Sequence, residues 1–413
     1  MIRTLLTIVI IILLAAVNGK AQQDSIINGQ IPGDQKPVVI DFMADYYRQD
    51  GDHSAVTGGE GREALKDYGA KIIIKIPLRN DKSLTLDNKI SYFTSASTDE
   101  IDPTTISGAS KSDLHVEMNA IIDKEVSGDK NFAYQIRLGA ANEAHFASVN
   151  AGLGFTKTID KWQAKIGVKS HFIMDAWGPY YRLSKLYPSD YFGPDNLTNN
   201  KRHSLQTAIN YHQIINERLQ AALSVEVIQQ FGLLSTPFNR IYFSDKNLID
   251  IERLPDYKLR IPVSLKVNYY TTDWLVIRSS YRFYWDNFNL KAHTISLELP
   301  LKLHRFFTIY PFYRYHFQYG NEYFEMKGEH LSTEEFYTSD FDLSDLQSHH
   351  MGGGIKWIPF KKERKRASNR VSCRSVELRA AHYRRTDGFH SWIISGGVSL
   401  SVLRKENKGI DDD

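Results

Sequence analysis

Residues 258–319 read KLRIPVSLKVNYYTTDWLVIRSSYRFYWDNFNLKAHTISLELPLKLHRFFTIYPFYRYHFQY. Leu259, Ile261, Val263, Leu265, Val267 and Tyr269 fall on one parity, and Arg260, Ser264, Lys266 and Asn268 fall on the other. That is the period-2 signature of a strand with one apolar face. The pattern restarts after Thr271-Thr272-Asp273, again after Asp286 to Asn289, and again at His304-Arg305. Leu290 and Ala292 are out of phase with the third run. Strands of soluble proteins span about five or six residues, whereas a tilted strand needs roughly 9 to 11 to cross a bilayer. Each run here reaches that length, so the stretch predicts consecutive hairpins of a transmembrane β-barrel rather than a soluble sandwich, which would carry turn residues more often.

The same alternation recurs through most of the chain, from a first strand near Val38 to Tyr47 to a last one through Trp392, Ile394, Val398, Leu400 and Val402. The sum is about sixteen strands, within a range of about 14 to 16, as in even-numbered bacterial barrels. The loops sort by parity. The odd-to-even connections, 48–68, 96–112, 142–145, 176–202, 232–257, 286–289, 320–345 and 385–388, include every long one except Phe360 to Arg370, which contains KKERKR. The even-to-odd connections are tight. Short periplasmic turns and long extracellular loops produce this sorting, and a sandwich has no reason for it. The fold class expected is therefore a closed antiparallel transmembrane β-barrel over residues 37–403.

Flanking segments place the barrel in a cell. Arg3, the apolar run Leu5 to Val17 and Gly19-Lys20-Ala21 read as a cleaved signal peptide over residues 1–21. Residues 22–36 form a polar lead-in and 404–413 a polar tail, and no later stretch is apolar enough for a membrane helix. Export and a lipid-facing barrel imply the outer membrane, with its lipid as the surrounding partner. The lone Cys373 excludes an intramolecular disulfide. A net charge of +3 gives no ground for nucleic-acid binding.

Several strings carry a family resemblance: DGDHSAVTGG (50–59), YFTSASTDEIDP (92–103), LSTPFNRIYF (234–243), YRFYWDNFNLKAHTISLELP (281–300), IYPFYRYHFQ (309–318) and YTSDFDLS (337–344). The chain resembles an uncharacterised Gram-negative family, domain of unknown function 3570. The resemblance implies an outer-membrane barrel without an established activity. It also implies periplasmic redox proteins as partners, since members stand beside thioredoxin-like and flavin-attaching proteins. No flavin motif is present in the residues.

Candidate chemistry lies on the polar parity and in the loops. Arg260, Lys266, Arg278, Arg282, Lys302 and Arg314 face Asp286 and Glu298. They read either as a lumen that attracts anions or, with more weight, as lumenal ion pairs completed by Glu117, Asp123 and Glu226. Asp99, Glu100 and Asp102 in one outer loop, and Glu334, Glu335, Asp340, Asp342 and Asp345 in another, offer oxygen ligands for loop Ca²⁺, though no EF-hand spacing exists and solvated charge is the weightier reading. His349 and His350 are adjacent on a strand and point to opposite faces, so they do not share a metal. His53-Ser54 suggests a lipid hydrolase, without the G-x-S-x-G elbow. The leading expectation is a pore or accessory conduit. A membrane-embedded hydrolase and a barrel that recruits a partner through its outer loops are the alternatives.

Overall fold

In the computed structural model, the first strand, β1 (Val38–Asp50), pairs antiparallel with β2 (Leu65–Pro77) on one side and with the last strand, β16 (His390–Val402), on the other. The first-to-last ladder runs from Val38 opposite Val402 to Asp50 opposite His390, which closes the sheet and leaves no edge. The structure describes residues 37–95, 112–126, 129–143, 146–177, 201–236, 239–359 and 371–402. The expected signal peptide and lead-in, the expected tail, the KKERKR connector and the loop holding Asp99, Glu100 and Asp102 lie outside them.

Between β2 and β16 every strand pairs with its sequence neighbours. They are β3 (Lys82–Ser95), β4 (Ser112–Val126), β5 (Asp129–Asn142), β6 (Phe146–Ile159), β7 (Ala164–Trp177), β8 (Lys201–Asn216), β9 (Leu219–Gly232), β10 (Tyr257–Tyr270) and β11 (Val276–Asp286). Then come β12 (Lys291–Glu298, continuing as Leu301–His304), β13 (Phe307–Ile309, continuing as Phe312–Tyr319), β14 (Leu346–Trp357) and β15 (Val371–Arg385). The result is the expected barrel of sixteen strands. Its uninterrupted strands run from 11 to 16 residues, long enough to cross a bilayer at a tilt.

β12 and β13 are broken at Pro300 and Pro311 because proline has no N–H for the ladder. Neighbouring bonds carry the sheet across the gap: Leu299 N donates to Pro311 O (3.0 Å), and Tyr310 N to Gly354 O (2.8 Å). Pro300 O still accepts from Val276 N (3.2 Å).

Alternation sorts the side chains. Leu265, Tyr281, Ile295, Leu297, Leu303 and Tyr313 stay exposed on the outer surface although they are large and apolar. So many exposed apolar side chains are unstable in water and suit hydrocarbon. Aromatic rings lie toward the two ends of that belt, Tyr46 and Tyr68 (centroids 5.2 Å apart) near the long loops and Trp162, Trp274 and Trp357 near the short turns. The out-of-phase Ala292 and Leu290 are both buried: their parity turns them inward, beneath the loops, near the buried Phe288.

The loops at the long-loop end are themselves folded. Residues 233–256 contain a short hairpin, Arg240–Tyr242 with Ile249–Ile251. Loop 320–345 pairs with it through Phe243 with His330 and Arg253 with Tyr337. Loop 51–64 packs on both. Gly58, at φ 84°, leaves no room for a side chain, since a Cβ there would meet the Tyr242 ring at 2.6 Å.

Candidate functional site

Directly paired residues of an antiparallel sheet share a face, so register carries orientation around the barrel. Arg379 on β15 and Ser395 on β16 line an interior cavity of about 500 Å³. Arg379 pairs with Ser395, Ser395 with Asp45, Asp45 with Gly69, Gly69 with Ser91, and Ser91 with His115. All therefore face the lumen, as do residues two and four positions along each strand.

That rule places carboxylates on β1–β4: Asp41, Asp45, Asp67, Asp87, Glu117 and Asp123, with Lys71 paired to Asp87 (2.8 Å). They sit in a polar mesh. Asn119 Nδ2 donates to Glu117 Oε1 (2.8 Å), Asn150 Nδ2 to Asn119 Oδ1 (3.4 Å), and His171 Nε2 lies 3.0 Å from Asn150 Oδ1. The ladder passes over Gly139, where a Cβ would overlap Asn119 Oδ1. Asp123 accepts from Gln135 Nε2 (2.7 Å).

The wall formed by β10–β15 has the opposite sign. Lys266, Arg278, Arg314 and Arg379 line the cavity together with His350 and Glu298. Glu298 bridges two of them, binding Arg278 Nη1 through Oε1 (2.8 Å) and Arg379 Nη1 through Oε2 (3.1 Å). Arg379 also binds Glu377 (2.5 Å), which lies 3.8 Å from Lys356. Among the described residues, Arg260, Lys266, Arg282, Lys302 and Arg314 have no carboxylate partner. Of the six cations read from the sequence, five stand free of carboxylates and only Arg278 is paired.

Asp286 differs from its sequence reading. Parity turns it inward, but it is wholly buried beneath the β11–β12 turn, paired with Lys258 Nζ (2.9 Å). It also accepts from Tyr284 OH (2.9 Å), Phe288 N (3.0 Å) and Leu290 N (3.2 Å). It is an anchor beneath the turn, not a group exposed in the lumen.

At the mouth, Arg385 at the end of β15 meets Asp342 of loop 320–345 and Asp387 (2.5 Å), and donates to Phe341 O (3.1 Å). Burial, and then the Asp342 charge, raises Glu63 in loop 51–64 to about 7. The same two causes raise Asp340 to about 7. Asp340, Asp342 and Asp345 do not converge on one point. Asp340 Oδ1 accepts from Asp342 N (2.9 Å), Asp342 binds Arg385, and Asp345 Oδ1 accepts from Gly320 N (2.5 Å).

His349 and His350 lie on opposite faces. His349 Nδ1 is 2.7 Å from Tyr313 OH on the outer surface, and His350 is in the lumen. His53 and Ser54 have separate structural roles: the His53 ring stacks on Phe341 (3.9 Å) with Nδ1 3.0 Å from Gly59 O, and Ser54 is buried with its carbonyl accepting from Thr57. Arg379, Glu377 and Arg385 were not singled out from the sequence. Their inward parity was the available signal.

The model of a family described as a protein of unknown function, DUF3570, matches residues 131–387. Among curated proteins, none matches the chain in sequence. Solved structures with a similar fold include a bacterial polysaccharide outer membrane secretin (10% identity, 90% of this chain and 99% of that one, TM-score 0.45). Pseudomonas aeruginosa OccK9 (7%, 89% and 98%, 0.40) and Acinetobacter baumannii OccAB1 (7%, 89% and 97%, 0.38) are two more. The first is an outer-membrane protein by name.

Proposed function

Starting from a chain that belongs to the DUF3570 family, we propose that it is an outer-membrane pore preferring small anionic solutes. The observation that carries this reading is the group of lumenal cations, Arg260, Lys266, Arg282, Lys302 and Arg314, without carboxylate partners among the described residues, on the β10–β15 wall. Cations already tied in ion pairs would present little net field; unpaired ones in a channel with low-dielectric walls focus it and raise the local anion concentration. A barrel of sixteen strands is wide enough by strand count to enclose a water-filled path. The carboxylates of β1–β4 lie roughly across from this wall, so a solute bearing both charges would be oriented as it passes. An accessory role beside a periplasmic redox apparatus is a narrower form of the same proposal, and it rests on the family resemblance alone.

The test is planar-bilayer recording on the refolded protein in a potassium chloride gradient. Discrete conductance with an anion-selective reversal potential is expected, and R282Q/R314Q should move that potential toward zero. A well-folded but silent barrel overturns the pore, and a cation-selective one overturns the role assigned to the arginines.

A further inference from the structure

Outside the lumen, one buried titratable group has surroundings that its protein neighbours leave incomplete. His330, in loop 320–345, is 2% exposed. Its Nε2 lies 3.1 Å from the carbonyl oxygen of Thr338. A carbonyl only accepts, so the ring hydrogen resides on Nε2 and the lone pair of a neutral ring on Nδ1. Nδ1 faces two carboxylates, Glu334 Oε2 at 2.7 Å and Glu325 Oε2 at 3.8 Å. Three acceptors aimed at one another repel, so a cation belongs among them.

A proton on Nδ1 would satisfy Glu334 alone. At 3.8 Å, Glu325 is beyond hydrogen-bond reach, and its carboxylate has no other polar contact among the described residues. A metal ion would use all three. The three ligating atoms already lie within 4.8 Å of one another. The supporting contacts are those a metal ligand set requires: Thr338 O fixes the histidine tautomer, and Leu331 N donates to Glu334 Oε1 (3.1 Å), leaving Oε2 free. Glu325 N donates to Thr338 O (3.3 Å), which holds the third ligand beside the first.

We propose that Glu325, His330 and Glu334 bind a divalent first-row transition ion of the Zn²⁺ class, with water completing the shell. An imidazole nitrogen with two carboxylates suits zinc rather than calcium, which takes all-oxygen sites. Closing the site needs only small side-chain shifts, to ligand distances of about 2.0–2.2 Å. Because Ser244 N donates to His330 O (2.9 Å), the ion would stiffen the turn on which the 233–256 hairpin rests. No bond other than coordination forms, and a ring protonated beforehand releases one proton.

The experiment is calorimetric titration of the full-length refolded protein with zinc chloride, with calcium and magnesium chlorides as separate titrants. One Zn²⁺ per chain is expected, with no saturable calcium or magnesium heat. E325Q and E334Q should each weaken zinc binding by about 10–100-fold or more, and H349Q should leave it unchanged. E325Q is the decisive variant, since Glu325 is about half exposed and its loss leaves the loop's hydrogen bonds intact. No saturable zinc binding, or binding indifferent to E325Q and E334Q, overturns the site and leaves His330 as a structural contact of Glu334. The readout does not depend on conductance, so it stands or falls apart from the pore.

Discussion

Arg385 allows a quantitative test of how the mouth is held, because its two carboxylate partners differ sharply in exposure. The guanidinium is 6% exposed, Asp387 9% and Asp342 71%. An ion pair with an exposed partner contributes about 0–1 kcal/mol, whereas breaking a buried pair costs about 3–5 kcal/mol by stranding a desolvated charge. Arg385→Met keeps much of the stem that packs on Phe389, whose ring centroid is 5.1 Å from the guanidinium carbon. The loss should therefore be dominated by charge, at about 3–5 kcal/mol, and most of it should belong to Asp387. The 2.5 Å contact to Asp387 Oδ2 joins two groups that are both almost wholly out of solvent. Double-mutant cycles separate the two partners. R385M with D387N should give a coupling of about 2–3 kcal/mol, and R385M with D342N less than about 1 kcal/mol. The assay is reversible urea unfolding of the refolded barrel in lipid vesicles, followed by tryptophan fluorescence. Equal couplings, or a larger one for Asp342, would refute the claim that exposure ranks these pairs.

Three further outcomes follow from the same structure. Asp286→Ala removes four donors' common acceptor and strands Lys258 in a buried site, and it should lower stability by about 3–5 kcal/mol in the same assay; Asp286→Asn, which keeps an acceptor oxygen, should cost less. Gly139→Leu drives a branched side chain into both the Asn119 and Asn150 carboxamides, beyond what their rotation can clear, and should cost about 1–3 kcal/mol in the same assay; full stability of this variant would disprove the inward ladder. Glu63 and Asp340 both titrate at about 7, above their ordinary 4.5 and 3.8, so each binds a proton more tightly folded than unfolded. Their contribution is complete below pH 4.5 for Glu63 and 3.8 for Asp340, and is lost as pH rises through about 7. Hydrogen exchange in loop 320–345 should accelerate over that interval, and E63Q/D340N should flatten the dependence.

How far these features are legible before folding depends on the distance over which the chain must be read. Alternation is local, so the strand faces and the loop sorting of β10 to β13 follow from neighbours two residues apart. Pro300 and Pro311 would ordinarily break such strands, but apolar parity persists on both sides of each and outlasts the missing donors. Ion-pair partners are a different matter. The pairing of Arg278 with Glu298 is a neighbour contact, since the two residues are directly opposite in register. The bond from Arg379 to the same carboxylate spans 81 residues and three strand steps, and it exists only because the sheet curves into a closed wall. Two cations on one carboxylate leave Lys266 and Arg314 beside them without one among the described residues, which no count of charges along the sequence conveys. Asp286 carries the same lesson with the opposite sign. Parity correctly turns it inward, but its position at the strand end, where Phe288 and Leu290 fold back over it, removes it from the lumen. The loop residues have no period at all. His330 and Glu334 are four residues apart, but Glu325 and Thr338 reach the ring through a loop path without a period, so its chemistry becomes visible only once the backbone carbonyl that fixes its tautomer is in place.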